Sequence, residues 1–139
     1  MPFRIRAATT ADLPSVLALW ERAAAEPTHT DDLASLEQLL AHDPDALLLL
    51  VTETDDGIAG SIIAGWDGWR GSIYRLVVAP EHRRSGYGRR LLAAAEEQLA
   101  GAGAVRMQAI VVSTDGQATR FWRASDWEHQ AERYRFVKG

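Results

Sequence analysis

The sequence predicts a mixed α/β fold in one domain, and three observations carry that expectation. Three apolar or alternating runs, "ALLLLVTET", "GIAGSIIAGW" and "SIYRLVV", are separated by the turn-forming stretches "DDG" and "DGWRG", a pattern that reads as an antiparallel meander. Segments with apolar residues at helical spacing precede and follow that meander. A length of 139 residues with 47% hydrophobic content suits one compact core, since a chain of this size buries roughly 68–70% of the surface its unfolded state exposes. No linker, repeat or low-complexity tract interrupts it, so residues 1–139 read as a single domain.

The elements follow in order. "FRIRAA" alternates as a short strand does, and Thr9, Thr10 and Asp12 then open a helix with Leu13, Val16, Leu17, Trp20 and Ala24 on one face. Pro27 and Thr28 break it. Asp31 and Asp32 begin a second helix with Leu33, Leu36, Leu39 and Leu40 inward, ending near Pro44. After the meander, a helix from about Tyr87 to Ala100 buries Leu91, Leu92, Ala95 and Leu99, with Gly101 closing it. A strand over "VRMQAIVV", a helix carrying Ala118, Phe121 and Trp122, and a last strand pair around "WEHQ" and "RYRFV" complete the order β-α-α-β-β-β-α-β-α-β-β.

Composition excludes several functions. Fifteen Lys and Arg against nineteen Asp and Glu give a net charge of −4, which argues against a nucleic-acid or anionic-membrane binder, because those partners call for a basic face. The absence of cysteine rules out disulfides and thiolate metal sites. His29, His42, His82 and His129 lack ligand-like spacing, so no metal is expected. "MPFRIRAATT" has no apolar signal-peptide core, which makes a cytoplasmic location the expectation.

Against that acidic background stands "RRSGYG", Arg83 to Gly88, between the strand-like "IYRLVVAP" and the helix-like "RRLLAAAEEQLAG". Free backbone N–H groups and the positive end of a helix dipole converge at such a junction, and glycine lets an anion approach without a Cβ in the way. A Walker loop would need Lys and Ser or Thr after Gly88, where the chain has Arg89 and Arg90. A dinucleotide fingerprint would need glycine at position 91, where the chain has leucine. A nucleotide-binding domain is therefore disfavoured. A solvated basic turn is the plainer alternative, and the strand before and amphipathic helix after weigh against it.

Arg83, Gly86 and Gly88 match the signature Arg or Gln, two residues, Gly, one residue, Gly or Ala, and "LVVAPEHR" precedes them. On these residues, and on element order over almost the whole chain, the sequence resembles the GNAT superfamily of acyl-CoA-dependent N-acyltransferases. The resemblance implies a mixed, mostly antiparallel sheet flanked by helices on both faces. It implies acetyl-CoA as cosubstrate, with Leu76, Val77 and Val78 gripping pantetheine through their backbone. Arg83, Arg84, Ser85, Gly86, Tyr87, Gly88 and Arg89 would cradle the pyrophosphate, and arginine can meet phosphate oxygens in bidentate geometry. The reaction implied is transfer of an acetyl or other short acyl group to an amine by direct attack in a ternary complex. The acceptor would be a small-molecule or peptide amine, and the family's frequent dimers make a homodimer one expected assembly.

A second family segment corresponds to "DGQATRFWRASDW", where Asp115, Ala118, Phe121, Trp122, Asp126 and Trp127 fall on the pattern. The family's proton-donating tyrosine is replaced by Trp122, whose indole cannot act as that acid, so Trp122 is expected to wall the cofactor pocket instead. A thiol of pKa about 8.5 leaves at pH 7 at a disadvantage of only about 2 kcal/mol, whereas deprotonating an alkylammonium of pKa about 10.4 costs about 4.6 kcal/mol. No catalytic base is identified. Where the family places a glutamate the chain has Ser72, with Tyr74 on the same strand face as a candidate for the acceptor pocket. Glu26, His29 and Asp31 cluster where the family binds its acceptor, with helix capping and solvation as their ordinary reading. A non-catalytic acyl-CoA-binding or regulatory module is the alternative, made credible by Trp122.

Overall fold

A computed structural model describes residues 2–53, 57–112 and 115–139. They form two compact units, residues 1–109 and 110–139. The first contains a five-stranded sheet in the order β1 (Phe3–Ala7), β2 (Leu47–Thr52), β3 (Ile58–Trp66), β4 (Gly71–Val78) and β5 (Met107–Ala109). The first four strands pair antiparallel, and β5 runs parallel to β4. The expected meander is therefore present. Asp55 and Asp56 of its "DDG" turn lie outside the described residues.

The run of leucines in β2 shows why both sheet faces are covered. Leu47 and Leu49 join a core cluster with Leu13, Val16, Leu19 and Trp20 of α1 (Leu13–Arg22) and Leu36 and Leu40 of α2 (Leu33–His42). Leu48 and Leu50 point the opposite way by strand alternation and are just as buried. Leu50 pairs with Gly60, and an added Cβ at Gly60 would meet Leu91 of α3 (Tyr87–Ala102) at 2.8 Å. Thus α1 and α2 cover one face and α3 the other, and a strand buried on both sides must be apolar at every position.

Asp12 tightens the entry to α1. Its carboxylate accepts bonds of 2.7 and 2.9 Å from the Arg6 guanidinium and 2.8 Å from the Thr9 N–H. The Arg6 hydrogen bonds, and then those from Thr9, hold the Asp12 carboxyl well below the usual carboxylate range.

Several boundaries differ from the sequence expectation. Ala24 lies past the end of α1, exposed, at φ 56. Leu33 is 43% exposed, because the first residue of α2 precedes the turn that meets the core. Gly103, in the left-handed conformation at φ 116, closes α3, whereas Gly101 sits inside it. Only three residues of "VRMQAIVV" pair as β5.

In the second unit, α4 (Gly116–Ala124) begins at Asp115, whose side chain accepts from the Ala118 N–H at 2.9 Å. The expected final strand pair does not form: residues 127–139 hold no strand, and Phe136 is 93% exposed. Alternation alone does not make a strand. A hairpin without a further strand or an apolar surface to pack on is marginal, and the second unit contributes only a helix.

Candidate active site

The end of β4 and the start of α3 create two adjoining features. Pairing of β4 with β5 covers only Gly71–Ile73, so β4 continues through Tyr74–Val78 beyond its parallel partner. Backbone groups on that edge are available to an extended ligand, as at any unpaired strand edge. Leu76, Val77 and Val78, the expected pantetheine grip, lie there.

A short 3₁₀ turn at Pro80–His82 then leads into the glycine loop. Arg84 at φ 65 and Gly86 at φ 79 both adopt the left-handed conformation, curling the backbone so that successive N–H groups face one concave side. Gly86 is the N-cap of α3 and offers no side chain to fill that position. The first helical bond runs from Arg90 N–H to the Gly86 carbonyl at 3.2 Å, leaving the N–H groups of Tyr87, Gly88 and Arg89 without partners inside the helix. A Cβ added at Gly86 meets nothing within 4 Å. Residues 83–86 are exposed, so an anion has open access.

The arginines of the loop divide their work. Arg83 donates from Nη2 to the Ala23 carbonyl at the end of α1 at 3.1 Å, docking the loop, so its guanidinium already has a structural partner. Arg84, Ser85 and Arg89 are exposed. Tyr87 contributes backbone only, its ring being buried against Phe3 and His82 with centroids 5.4 and 5.7 Å apart. Arg90 lies 5.7 Å over Phe3.

Tyr74, the expected acceptor-pocket residue, pairs with Ile63 and so stands on the α1–α2 face of the sheet, yet it is 52% exposed. It borders a cleft of about 180 Å³ lined also by Gly65, Trp66, Asp67, Arg70 and Ser72. Asp67 accepts from the Trp69 and Arg70 N–H groups, both at 2.7 Å, and these bonds, Arg70 first, hold its carboxyl below its ordinary range. The turn expected at "DGWRG" is this one.

Glu26, His29 and Asp31, expected to cluster at the acceptor site, differ in how they are engaged. Asp31 is spent inside the protein: it accepts from the Thr28 N–H and hydroxyl at 2.9 Å each and from Nε and Nη2 of Arg75. The Glu26 carbonyl also accepts from Arg75 Nη2, at 2.8 Å. Asp32 caps α2 through the Ser35 N–H at 2.7 Å. Glu26 and His29 side chains face solvent.

Arg75, Ser61 and Trp20 form a network that sequence reasoning missed. Trp20 Nε1–H donates to Ser61 Oγ at 2.9 Å, and Ser61 Oγ–H donates to the Arg75 carbonyl at 2.9 Å. A serine inside the apolar run "IAGSIIAGW" was the available signal, because a buried hydroxyl needs a partner.

Within the second unit, Trp122 packs edge-to-face on Trp127, centroids 4.7 Å apart, and on Phe121 at 5.8 Å. Among the described residues no group of three or more His, Cys, Asp or Glu side chains could hold a metal ion. No helix there is long and apolar enough to cross a membrane.

Comparison with known proteins agrees with this geometry. Residues 13–126 match the Acetyltransferase (GNAT) family. An acetyltransferase of Photorhabdus laumondii is 38% identical over 108 residues, covering 78% of this chain and 73% of that protein. The aminoglycoside 6'-N-acetyltransferase AAC(6')-IG of Acinetobacter haemolyticus superposes with a TM-score of 0.76 at 21% identity, covering 98% of each chain. The structure of AAC(6')-Iy with the bisubstrate analogue CoA-S-monomethyl-acetylneamine superposes with a TM-score of 0.75 at 19% identity, covering 100% of this chain and 99% of that one. At these identities the two structures speak for the fold, and the family match speaks for the chemistry: the chain belongs to the GNAT family of acetyltransferases, enzymes that move an acyl group from CoA to an amine.

Proposed function

We propose that the chain, acting as one domain over residues 1–139 in the cytoplasm, transfers acetyl from acetyl-CoA to a small-molecule or peptide amine. The observation that carries this reading is the adjacency of the β4 edge at Leu76–Val78 and the curled backbone from Arg84 to the first turn of α3. One supplies an extended backbone partner for the pantetheine arm, and the other an anion site for the pyrophosphate, with the Arg84 and Arg89 side chains beside it.

The amine nitrogen attacks the thioester carbonyl carbon. The C–N bond forms, the C–S bond breaks, sulfur leaves as thiolate, and the amine's proton passes to solvent. No cysteine exists to form an acyl-enzyme, which supports direct attack in a ternary complex. The half-exposed Tyr74 and the cleft beside it support entry of the amine on the α1–α2 face of the sheet, with Glu26 and His29, in the segment that Arg75 contacts, as further candidates. With Asp31 paired to Arg75, its carboxylate is not free to attract a cation there.

Thermal melting with and without acetyl-CoA, followed by thiol release against a panel of amines, tests the reading. Acetyl-CoA at 100 times Kd adds about 2.7 kcal/mol, so a shift of several degrees is expected, with turnover on at least one amine. Binding without turnover on any amine would favour a non-catalytic acyl-CoA module. No shift with millimolar acetyl-CoA would refute the cofactor site.

A further inference from the structure

Strand β4 carries a defect just before its cofactor edge. Its register against β3 shifts between Ser61 and Ile63, so Arg75 and Leu76 together stand opposite Ile62. Arg75 occupies the left-handed region at φ 51. A bend of this kind asks for glycine if the bend is all that is needed. An arginine there must be held by its surroundings.

Both ends of Arg75 are held, and by the same elements. Its carbonyl accepts from Ser61 Oγ, which is fixed by the Trp20 indole N–H. Its guanidinium lies 5.1 Å over the Trp20 ring and reaches Asp31 and the Glu26 carbonyl. Asp31 is fixed in turn by Thr28. One residue thereby ties the bulge to α1 and to the segment between α1 and α2. The pair is largely sheltered, its side chains 15% and 18% exposed.

We propose that Arg75 is a positioning residue that clamps the β4 bulge to the α1–α2 segment, so that the edge Leu76–Val78 meets the acyl-pantetheine arm in one geometry. The inference rests on the cofactor reading above. Its consequence is selective. Loosening the clamp weakens the grip on the pantetheine arm and misaligns the thioester, while the phosphate cradle, built from the α3 N-terminus and docked separately through Arg83, is left intact.

Arg75→Gly is the informative variant, because glycine tolerates the backbone conformation and removes only the clamp. Binding of acetyl-CoA and of adenosine 3'-phosphate 5'-diphosphate, which carries the phosphates without the arm, would be measured by calorimetry. Amide exchange at Leu76–Val78 and the kinetic constants would be followed alongside. Acetyl-CoA affinity is expected to fall about tenfold with the nucleotide unchanged within about twofold, and exchange at Leu76–Val78 to quicken. The turnover number kcat is expected to fall by about 10- to 100-fold, as a small misplacement of reacting groups costs. Asp31→Asn, which removes only the charge, is expected to move the same quantities in the same direction by less, and serves if Arg75→Gly folds poorly. Equal loss of both ligands, or unchanged acetyl-CoA affinity and kcat in folded variants, would overturn the clamp. A parent protein that binds neither ligand would instead refute the cofactor site itself.

Discussion

The loop at residues 83–88 and the bulge at Arg75 lie within a dozen residues of each other, yet they are made in different ways. The loop is built mostly from its own chain: glycine, a helix start and backbone N–H groups supply its chemistry, while Arg83 and the Tyr87 ring anchor it to Ala23 and Phe3. The bulge is built from residues far off in sequence, Trp20, Glu26, Asp31 and Ser61. A site of the first kind should fail by losing ligand without losing fold, and one of the second kind should lose both.

The largest effect tests the first half of that contrast. Gly88→Trp places an indole in the first turn of α3, where Gly88 is only half-buried. Losing two charge-assisted bonds to backbone N–H groups forfeits about 3–6 kcal/mol, at least about 100-fold in acetyl-CoA affinity. Calorimetry is expected to show that loss, with an unchanged far-ultraviolet circular dichroism spectrum. Retained affinity in the folded variant would place the phosphates elsewhere.

Ser61→Ala tests the second half. It leaves the Trp20 N–H and the Arg75 carbonyl without the hydroxyl that now joins them, and a buried group left unsatisfied costs about 1–3 kcal/mol. Denaturant unfolding is expected to report a loss near 2 kcal/mol, whereas Arg84→Ala, on the exposed loop, is expected to stay within about 0.5 kcal/mol. Equal stability of the two variants would erase the distinction between the regions.

This distinction also explains what could be read from the sequence. The meander, the three main helices and the glycine loop were legible because strand alternation, helical spacing and turn residues are local signals. The strand after α3 was legible as an apolar run, though not its parallel pairing with β4, and the family resemblance added the cofactor assignment. Asp31 misled for the opposite reason: as a sequence position it is a helix-start acid near other acids, and only folding brings Arg75, 44 residues away, onto its carboxylate. The final strand pair failed likewise, since "RYRFV" shows the pattern of a strand but nothing in the sequence shows a partner edge. Trp122 was legible as an aromatic of α4, and its contacts with Phe121 and Trp127 follow from spacing within one short segment.

Trp122 gives a smaller effect. If the indole only packs, Trp122→Phe keeps an aromatic against Trp127 and kcat is expected to stay within about tenfold of the parent. Loss of a true general acid would cost ~10² to 10⁴-fold. A thousandfold drop in kcat with acetyl-CoA affinity intact would make this side chain part of the chemistry.

The smallest effect lies away from both regions, at the Arg6–Asp12 pair, and calibrates what a half-buried ion pair between neighbours in sequence is worth beside the Arg75 clamp. The side chains are 33% and 17% exposed, so the contact lies between a surface pair and a buried one and is worth about 1 kcal/mol. Asp12 is depressed in the folded state, chiefly by its hydrogen bonds from Arg6. Its contribution is therefore complete above the unfolded aspartate value of about 3.9 and drains away as pH falls through the folded value. At pH 7, Asp12→Asn is expected to melt about 3–5 °C below the parent. Below about pH 4 the gap should narrow, because the parent's unfolded state then takes up a proton that its folded state resists. A gap that stays constant from pH 7 to pH 3, or widens in acid, would mean that Asp12 holds the start of α1 by geometry alone and that its charge contributes nothing.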